Sequence, residues 1–215
     1  NNIIYSSRDE IDITNLERVQ DQISEIKPDL VINASAYTDV DKAEKEHEKS
    51  TLINHVAVAN IAKICCLIDC WLIHISTDYV FDGLSKIAYK ENDQTNPQSI
   101  YGMTKLKGEE AIQSLDCKYI IIRTSWVYSE YGNNFLKTML RLCSKKSELS
   151  VVNDQIGCPT YAQDLAIAIN KIIERLKFKE TLSCLYHFSG NVCLSWAEFS
   201  KLIFNEALEL ELITK

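Results

Sequence analysis

WLIHISTDYVFDG, residues 71–83, is an apolar strand that runs into a polar turn. Four of its first six residues are large and apolar, the pattern of a strand covered on both faces and so of a mainly parallel sheet. Thr77 stands just past the strand's C-terminal end, the edge at which open α/β sheets bind ligands. A hydroxyl there can donate a hydrogen bond to a substrate carbonyl, although a turn or capping residue would look the same from sequence.

Working outward, DLVINASA (29–36) is a second near-continuous apolar run, and NIIY (2–5) reads as a short strand. Between them ITNLERVQDQISEI is helical, with Thr14 or Asn15 as its N-cap and Pro28 soon after its end. A helix is expected over about 50–69, and another in SIYGMTKLKGEEAIQSL. Further on, KYIIIRTS (118–125) and ELSVV (148–152) read as strands, and NNFLKTMLRLC as a helix. DLAIAINKIIERL is helical, CLYHFS strand-like, and SWAEFSKLIFNEALEL helical with Ser195 as its cap. Alternation of this kind implies βαβ units and a doubly wound, Rossmann-like α/β fold.

A dinucleotide fold normally opens on a strand, a glycine-rich turn and a helix that cradles a pyrophosphate. Nothing here matches G-x-G-x-x-G, because the first of the six glycines is Gly83. The expectation is that this numbering omits one N-terminal βα unit, roughly 30 residues. In the strand order 3-2-1-4-5-6 that unit would lie at the centre, so strands on its two sides would be cut apart.

Composition sets wider bounds. With 46% hydrophobic and 25% charged residues the chain has an ordinary globular balance. A net charge of −7 with no long basic run argues against nucleic acid. No apolar run approaches 18 residues without a charge, which gives a membrane role no support. The eight cysteines sit mostly in apolar stretches such as IAKICCLIDCWLIHIS, show no C-x-x-C spacing, and point to a reducing, cytoplasmic compartment with no metal site. The charged run Asp39–Lys49 reads as a solvated helix start.

Chemistry concentrates in YGMTK. Tyr101 and Lys105 lie at i and i+4, on one face of a helix. A free tyrosine ionises near pH 10, and an adjacent ammonium is expected to draw that value toward the working range. Taken alone the spacing is a common helical coincidence. The run STDYVFDG, then YGMTK, RTSWVY (123–128), GNNFLKTMLRL (132–142) and DQIGCPT (154–160), with VINASAYTDVDKAE and the DIT at 12–14, resembles the dTDP-4-dehydrorhamnose reductase family of extended short-chain dehydrogenase/reductases.

That resemblance implies NADPH- or NADH-dependent reduction of the C4 ketone of a dTDP-linked 4-keto-6-deoxy sugar, in cell-surface polysaccharide biosynthesis. It assigns Tyr101 as proton donor, Thr77 as hydrogen-bond donor to the ketone, and Lys105 as the residue that holds the nicotinamide ribose and tunes Tyr101. Asp12 and Ile13 match positions near the adenine; Ala36, Tyr37, Thr38 and Ile75 match positions along the cofactor. Val40, Asp78 and Trp126 match the sugar-nucleotide site, with an ordinary core role still open for Trp126. The core is placed at 1–124 and 160–182, and a substrate lobe at 125–159 and 183–215. Dimerisation is common in the family, so a homodimer is open here though no residue specifies it. Ser129 stands where a glycine often follows W-V-Y, and the family usually continues past the equivalent of Lys215.

Related chemistries separate at the strand end. A 4,6-dehydratase needs a glutamate after Thr-Asp, and Tyr79 occupies that place. Epimerases favour a serine-rich S-S-x-x-V-Y-G run, unlike STDYVF. A non-catalytic subunit such as the regulatory β subunit of methionine adenosyltransferase shares the fold and stays open as the alternative.

Overall fold

The computed structural model describes residues 3–146, 148–177 and 183–213. Asn15 caps α1 (Leu16–Ile26) by accepting the Arg18 N–H at 3.2 Å, and Lys27 in the left-handed region ends it before Pro28. β1 (Leu30–Asn33) follows, then α2 (Val40–Ala43), α3 (His47–Thr51), a π-helical turn at Leu52–Val56, and α4 (Ala57–Leu67). Next come β2 (Trp71–Thr77), α5 (Ile100–Gln113), β3 (Tyr119–Thr124) and β4 (Val127–Tyr128). The remainder is α6 (Phe135–Cys143), β5 (Ile156–Gly157), β6 (Thr160–Tyr161), α7 (Ala162–Lys177), β7 (Cys184–His187), β8 (Leu194–Ser195) and α8 (Trp196–Glu209).

The main sheet has the order β1-β2-β3-β7, with β1 parallel to β2 and β3 parallel to β7. The expected cut does not occur, because the DLVIN strand pairs directly with β2, Leu30 opposite Trp71 and Asn33 opposite His74. NIIY forms no strand: Ile3, Ile4 and Tyr5 are irregular and exposed, with no ladder to satisfy their backbone groups among the described residues. β2 is covered on both faces as expected, but β1 is not, since Ile32 is 45% exposed. The core under this sheet joins Val19 and Ile23 of α1, Val58, Ile61, Ala62, Ile64 and Cys65 of α4, Leu72, Ile112 and Ile121. By length and composition the helical run His47–Leu67 could cross a membrane, although it carries Glu48, Lys49 and Lys63. Its apolar face is instead the one that lines this core.

Two compact units emerge, Asn1–Arg123 with Leu182–His187, and Thr124–Thr181 with Phe188–Lys215. This division differs from the expected one. β7 belongs to the first unit because it pairs with β3, and α7 groups with the second. Within the second unit, parallel β4–β6 and antiparallel β5–β8 form two small sheets, and Met139, Phe199 and Ile203 centre an aromatic core. ELSVV is irregular rather than a strand; the Val152 carbonyl instead accepts the Ala197 N–H near the start of α8. Ser195 and Glu198 form a reciprocal capping box there.

α5 approaches its neighbours closely at two glycines. A Cβ on Gly102 would run into the Tyr79 carbonyl, and one on Gly108 into the Asn54 carbonyl. Alanine would ordinarily favour a helix interior by roughly 0.5–1 kcal/mol. Here the clash is with backbone, so Gly102→Ala is expected to destabilise by about 1–3 kcal/mol, read as a lower urea midpoint at unchanged slope. An unchanged or higher midpoint would mean that α5 can move away from Tyr79 at no cost.

Candidate active site

The first unit brings Thr77, Tyr101 and Lys105 together at the C-terminal end of β2. Ser99 starts α5 by accepting the Gly102 N–H at 3.1 Å, which sets Tyr101 in the first turn and Lys105 one turn on. Tyr101 meets Tyr79 edge-to-face at 5.5 Å and hydrogen-bonds Thr77. Thr77 is buried, donates to the Asp78 carboxylate at 3.1 Å and accepts the Tyr79 N–H at 3.2 Å. Burial moves Asp78 up to about 6, against the hydrogen bond from Thr77.

Burial also pushes Tyr101 up to about 12, and the Thr77 hydroxyl only partly offsets it. The lowering expected from the lysine does not occur, because desolvation dominates at this buried ring. A phenol at that value is protonated near neutral pH, the form that can give a proton to a developing alkoxide.

Lys105 is among the most buried side chains in the protein. Its Nζ donates to the Ile75 carbonyl at 2.6 Å and lies 3.2 Å from His74 Nε2. Burial lowers it to about 8, with Glu109 acting in the opposite sense. Behind it, Glu109 is fully buried and receives Arg123 through Nε and Nη2, at 3.0 and 2.6 Å, together with the Ser76 hydroxyl. The Arg123 guanidinium also lies 5.1 Å from the Phe81 ring centroid.

A second buried node anchors the loop after β1. Asn54, in the π-helical turn, accepts the Tyr37 N–H at 2.8 Å and donates to the Tyr37 carbonyl at 3.1 Å. It also donates to Thr104 Oγ1 at 3.2 Å, and Thr104 donates to the Tyr101 carbonyl at 3.0 Å. One amide thus ties the Ala36–Thr38 loop to the turn of α5 that carries Tyr101. Val40 opens α2, capped by Asp39.

The other candidates have contacts of their own. The Asp12 carboxylate accepts the Thr14 N–H and hydroxyl at 2.9 and 2.7 Å, and Ile13 packs on the apolar core. Trp126 lies in the second unit at φ 48°, stacked on Trp196 at 3.4 Å. A bulky residue held at positive φ is strained, which sets it apart from an ordinary core aromatic.

The sequence profile of the RmlD substrate binding domain family matches residues 1–212. The chain is 45% identical over 200 residues to the dTDP-4-dehydrorhamnose reductase of Aggregatibacter actinomycetemcomitans, covering 93% of this chain and 68% of that one. It is 45% identical over 196 residues to the enzyme of the same name from Escherichia coli K12, covering 91% and 66%. A crystal structure of dTDP-4-dehydrorhamnose reductase from Bacillus anthracis in complex with NADP superposes with a TM-score of 0.91, at 44% identity over 96% of this chain and 73% of that one. The chain belongs to the dTDP-4-dehydrorhamnose reductase family. Membership in this oxidoreductase family favours reduction over the regulatory-subunit reading. The chain spans about two thirds of the length of the curated dTDP-4-dehydrorhamnose reductases it matches.

Asn33, Asn54, Ser76, Glu109 and Arg123 join the site through hydrogen bonds that no motif spacing predicts. The available signal was Arg123 itself, a charge in the apolar run KYIIIRTS that demands a buried partner, with Glu109 one turn beyond Lys105 on the same helix face.

Proposed function

We propose that the whole protein reduces the C4 ketone of dTDP-4-dehydro-L-rhamnose to give dTDP-L-rhamnose. The observation that carries this reading is the meeting of Thr77, protonated Tyr101 and buried Lys105 at one sheet edge. A reduced nicotinamide cofactor, NADPH or NADH, supplies the hydride when bound. Thr77, turning its single hydroxyl proton from Asp78, donates a hydrogen bond to the ketone oxygen and so stabilises the charge that develops there. Tyr101 passes its phenolic proton to the same oxygen as it becomes an alcohol.

Lys105 is the donor suited to a ribose hydroxyl. It follows Tyr101 by one turn of α5, and its amine donates to the Ile75 carbonyl at 2.6 Å. Ala36, Tyr37 and Thr38 form a loop held by Asn54 at the C-terminal end of β1, a position suited to a nucleotide. Asp78 and Val40 are assigned to the sugar nucleotide, and Asp12 and Ile13 to the adenine end, by resemblance; Trp126 joins the substrate residues on the same basis. The thiols of Cys65, Cys70 and Cys117 support a reducing, cytoplasmic setting.

Calorimetric titration of the full-length protein with NADPH tests the reading, and absence of binding would remove it. Lys105→Met, which keeps the buried stem and removes the amine, is expected to raise the NADPH Kd and lower kcat together. A change in Kd alone would show that Lys105 has no part in the chemical step.

A further inference from the structure

The Lys105 amine ends a chain of hydrogen bonds that starts at exposed Ser35, runs inward through buried Asn33 and His74, and has its direction fixed from the Ser35 end. The Ser35 N–H can only donate, and it points at Asn33 Oδ1 from 3.1 Å. That orients the Asn33 amide, so its Nδ2 faces His74 Nδ1 at 3.2 Å. An amide NH2 is a donor, which makes His74 Nδ1 the acceptor. The ring is fully buried, and desolvation holds it neutral. A neutral ring accepting at Nδ1 carries its proton on Nε2, and Nε2 faces Lys105 Nζ at 3.2 Å.

An ammonium has three donors and no lone pair, so it cannot accept from Nε2–H. An amine can, while still donating to the Ile75 carbonyl at 2.6 Å. We infer that His74 is a positioning residue for Lys105: with its tautomer set by Asn33, its Nε2–H favours the amine form of the lysine and, once the lysine has lost its proton, holds it against the Ile75 carbonyl until a ligand draws it away. On leaving, the amine takes one proton from solvent and becomes the ammonium that a ribose or a phenolate favours. This inference rests on the reductase reading only for what Lys105 later does.

The titratable and charged groups around Nζ come from three elements. His74 lies on β2, Tyr101 and Glu109 lie one turn back and one turn on along α5, and Arg123 of β3 is paired with Glu109. Burial and the His74 donor favour the amine; Glu109 favours the ammonium. Asn33→Asp reverses the chain: a carboxylate still accepts from Ser35, and its second oxygen accepts from the ring, which moves the ring proton to Nδ1. Nε2 then offers a lone pair to an ammonium.

The test is 15N NMR of the histidine-labelled full-length protein at about pH 9, above the value near 8 to which burial moves Lys105. The ring of His74 is expected to carry its proton on Nε2; a proton on Nδ1 there would overturn the inference. The Lys105 titration, followed at its side-chain carbon resonance and assigned by Lys105→Met, is expected to rise by about one unit or more in Asn33→Asp. An unmoved midpoint in a folded Asn33→Asp protein would also overturn it. The ring measurement needs no variant, so it stands even if Asn33→Asp fails to fold. Absence of NADPH binding would sink the reductase reading without changing the tautomer, and a wrong tautomer would sink this inference without touching NADPH affinity.

Discussion

Tyr101→Phe in the full-length protein is expected to lower kcat by roughly 10²–10⁴ while the NADPH Kd changes little. The variant removes one oxygen from a ring whose packing against Tyr79, edge-to-face at 5.5 Å, is otherwise retained. The lost oxygen is the one that hydrogen-bonds Thr77, and it is the proton source in the reduction. A factor of that size is about 3–5 kcal/mol of transition-state stabilisation. Thr77 keeps its bonds to Asp78 and to the Tyr79 N–H, so the strand end should not collapse. Turnover of the 4-keto sugar nucleotide, followed by NADPH oxidation and paired with calorimetry, separates the two effects. Unchanged turnover would take Tyr101 out of the mechanism, and a large loss of NADPH affinity would make it a binding residue.

Glu109→Ala is expected to cost roughly 3–5 kcal/mol of folding free energy, the typical penalty for stranding one half of a buried ion pair. Glu109 is fully buried and Arg123 is 6% exposed, so water cannot replace the lost carboxylate. Arg123 already has one nitrogen, Nη1, with no hydrogen-bond partner, and the variant would leave Nε and Nη2 in the same state. Against a total stability of about 5–15 kcal/mol, such a loss brings the first unit close to unfolding at ambient temperature. The paired change Glu109→Leu with Arg123→Met should recover most of it, because no charge is then left buried. Urea denaturation of all three proteins decides the matter. A double variant as unstable as Glu109→Ala would mean that the pair contributes far more than charge neutrality.

Periodicity and turn chemistry made much of this fold legible. Asn15 and Ser195 cap helices because a short polar side chain precedes an apolar stripe. WLIHIS and KYIIIRTS are strands buried enough to read directly. NIIY and ELSVV misled, since a short apolar run says nothing of whether a neighbouring strand exists to pair with it. β4, β5, β6 and β8 hold two residues each, too few for any period to register. In the site, Tyr101 and Lys105 were visible because a helix fixes their separation locally. The chain from Ser35 through Asn33 and His74 to Lys105 was not, because its links join residues up to 41 apart across neighbouring strands. Tyr101 also ionises later than its lysine neighbour suggested, since burial is a property of the fold and has no signature at i+4.

Asn54 does its work from a π-helical turn, and such a turn holds one residue more than its α-helical counterpart. Removing any single residue from Leu52–Val56 would give a more regular helix, with better backbone geometry and a stronger local propensity. It would also rotate the chain on one side of the cut by about 100° relative to the other. The loop at Tyr37 and the helix at Thr104 would then no longer share a clasp. The irregularity works as a spacer, and the length of this helix is constrained residue by residue, whatever the chemistry of the side chains that fill it.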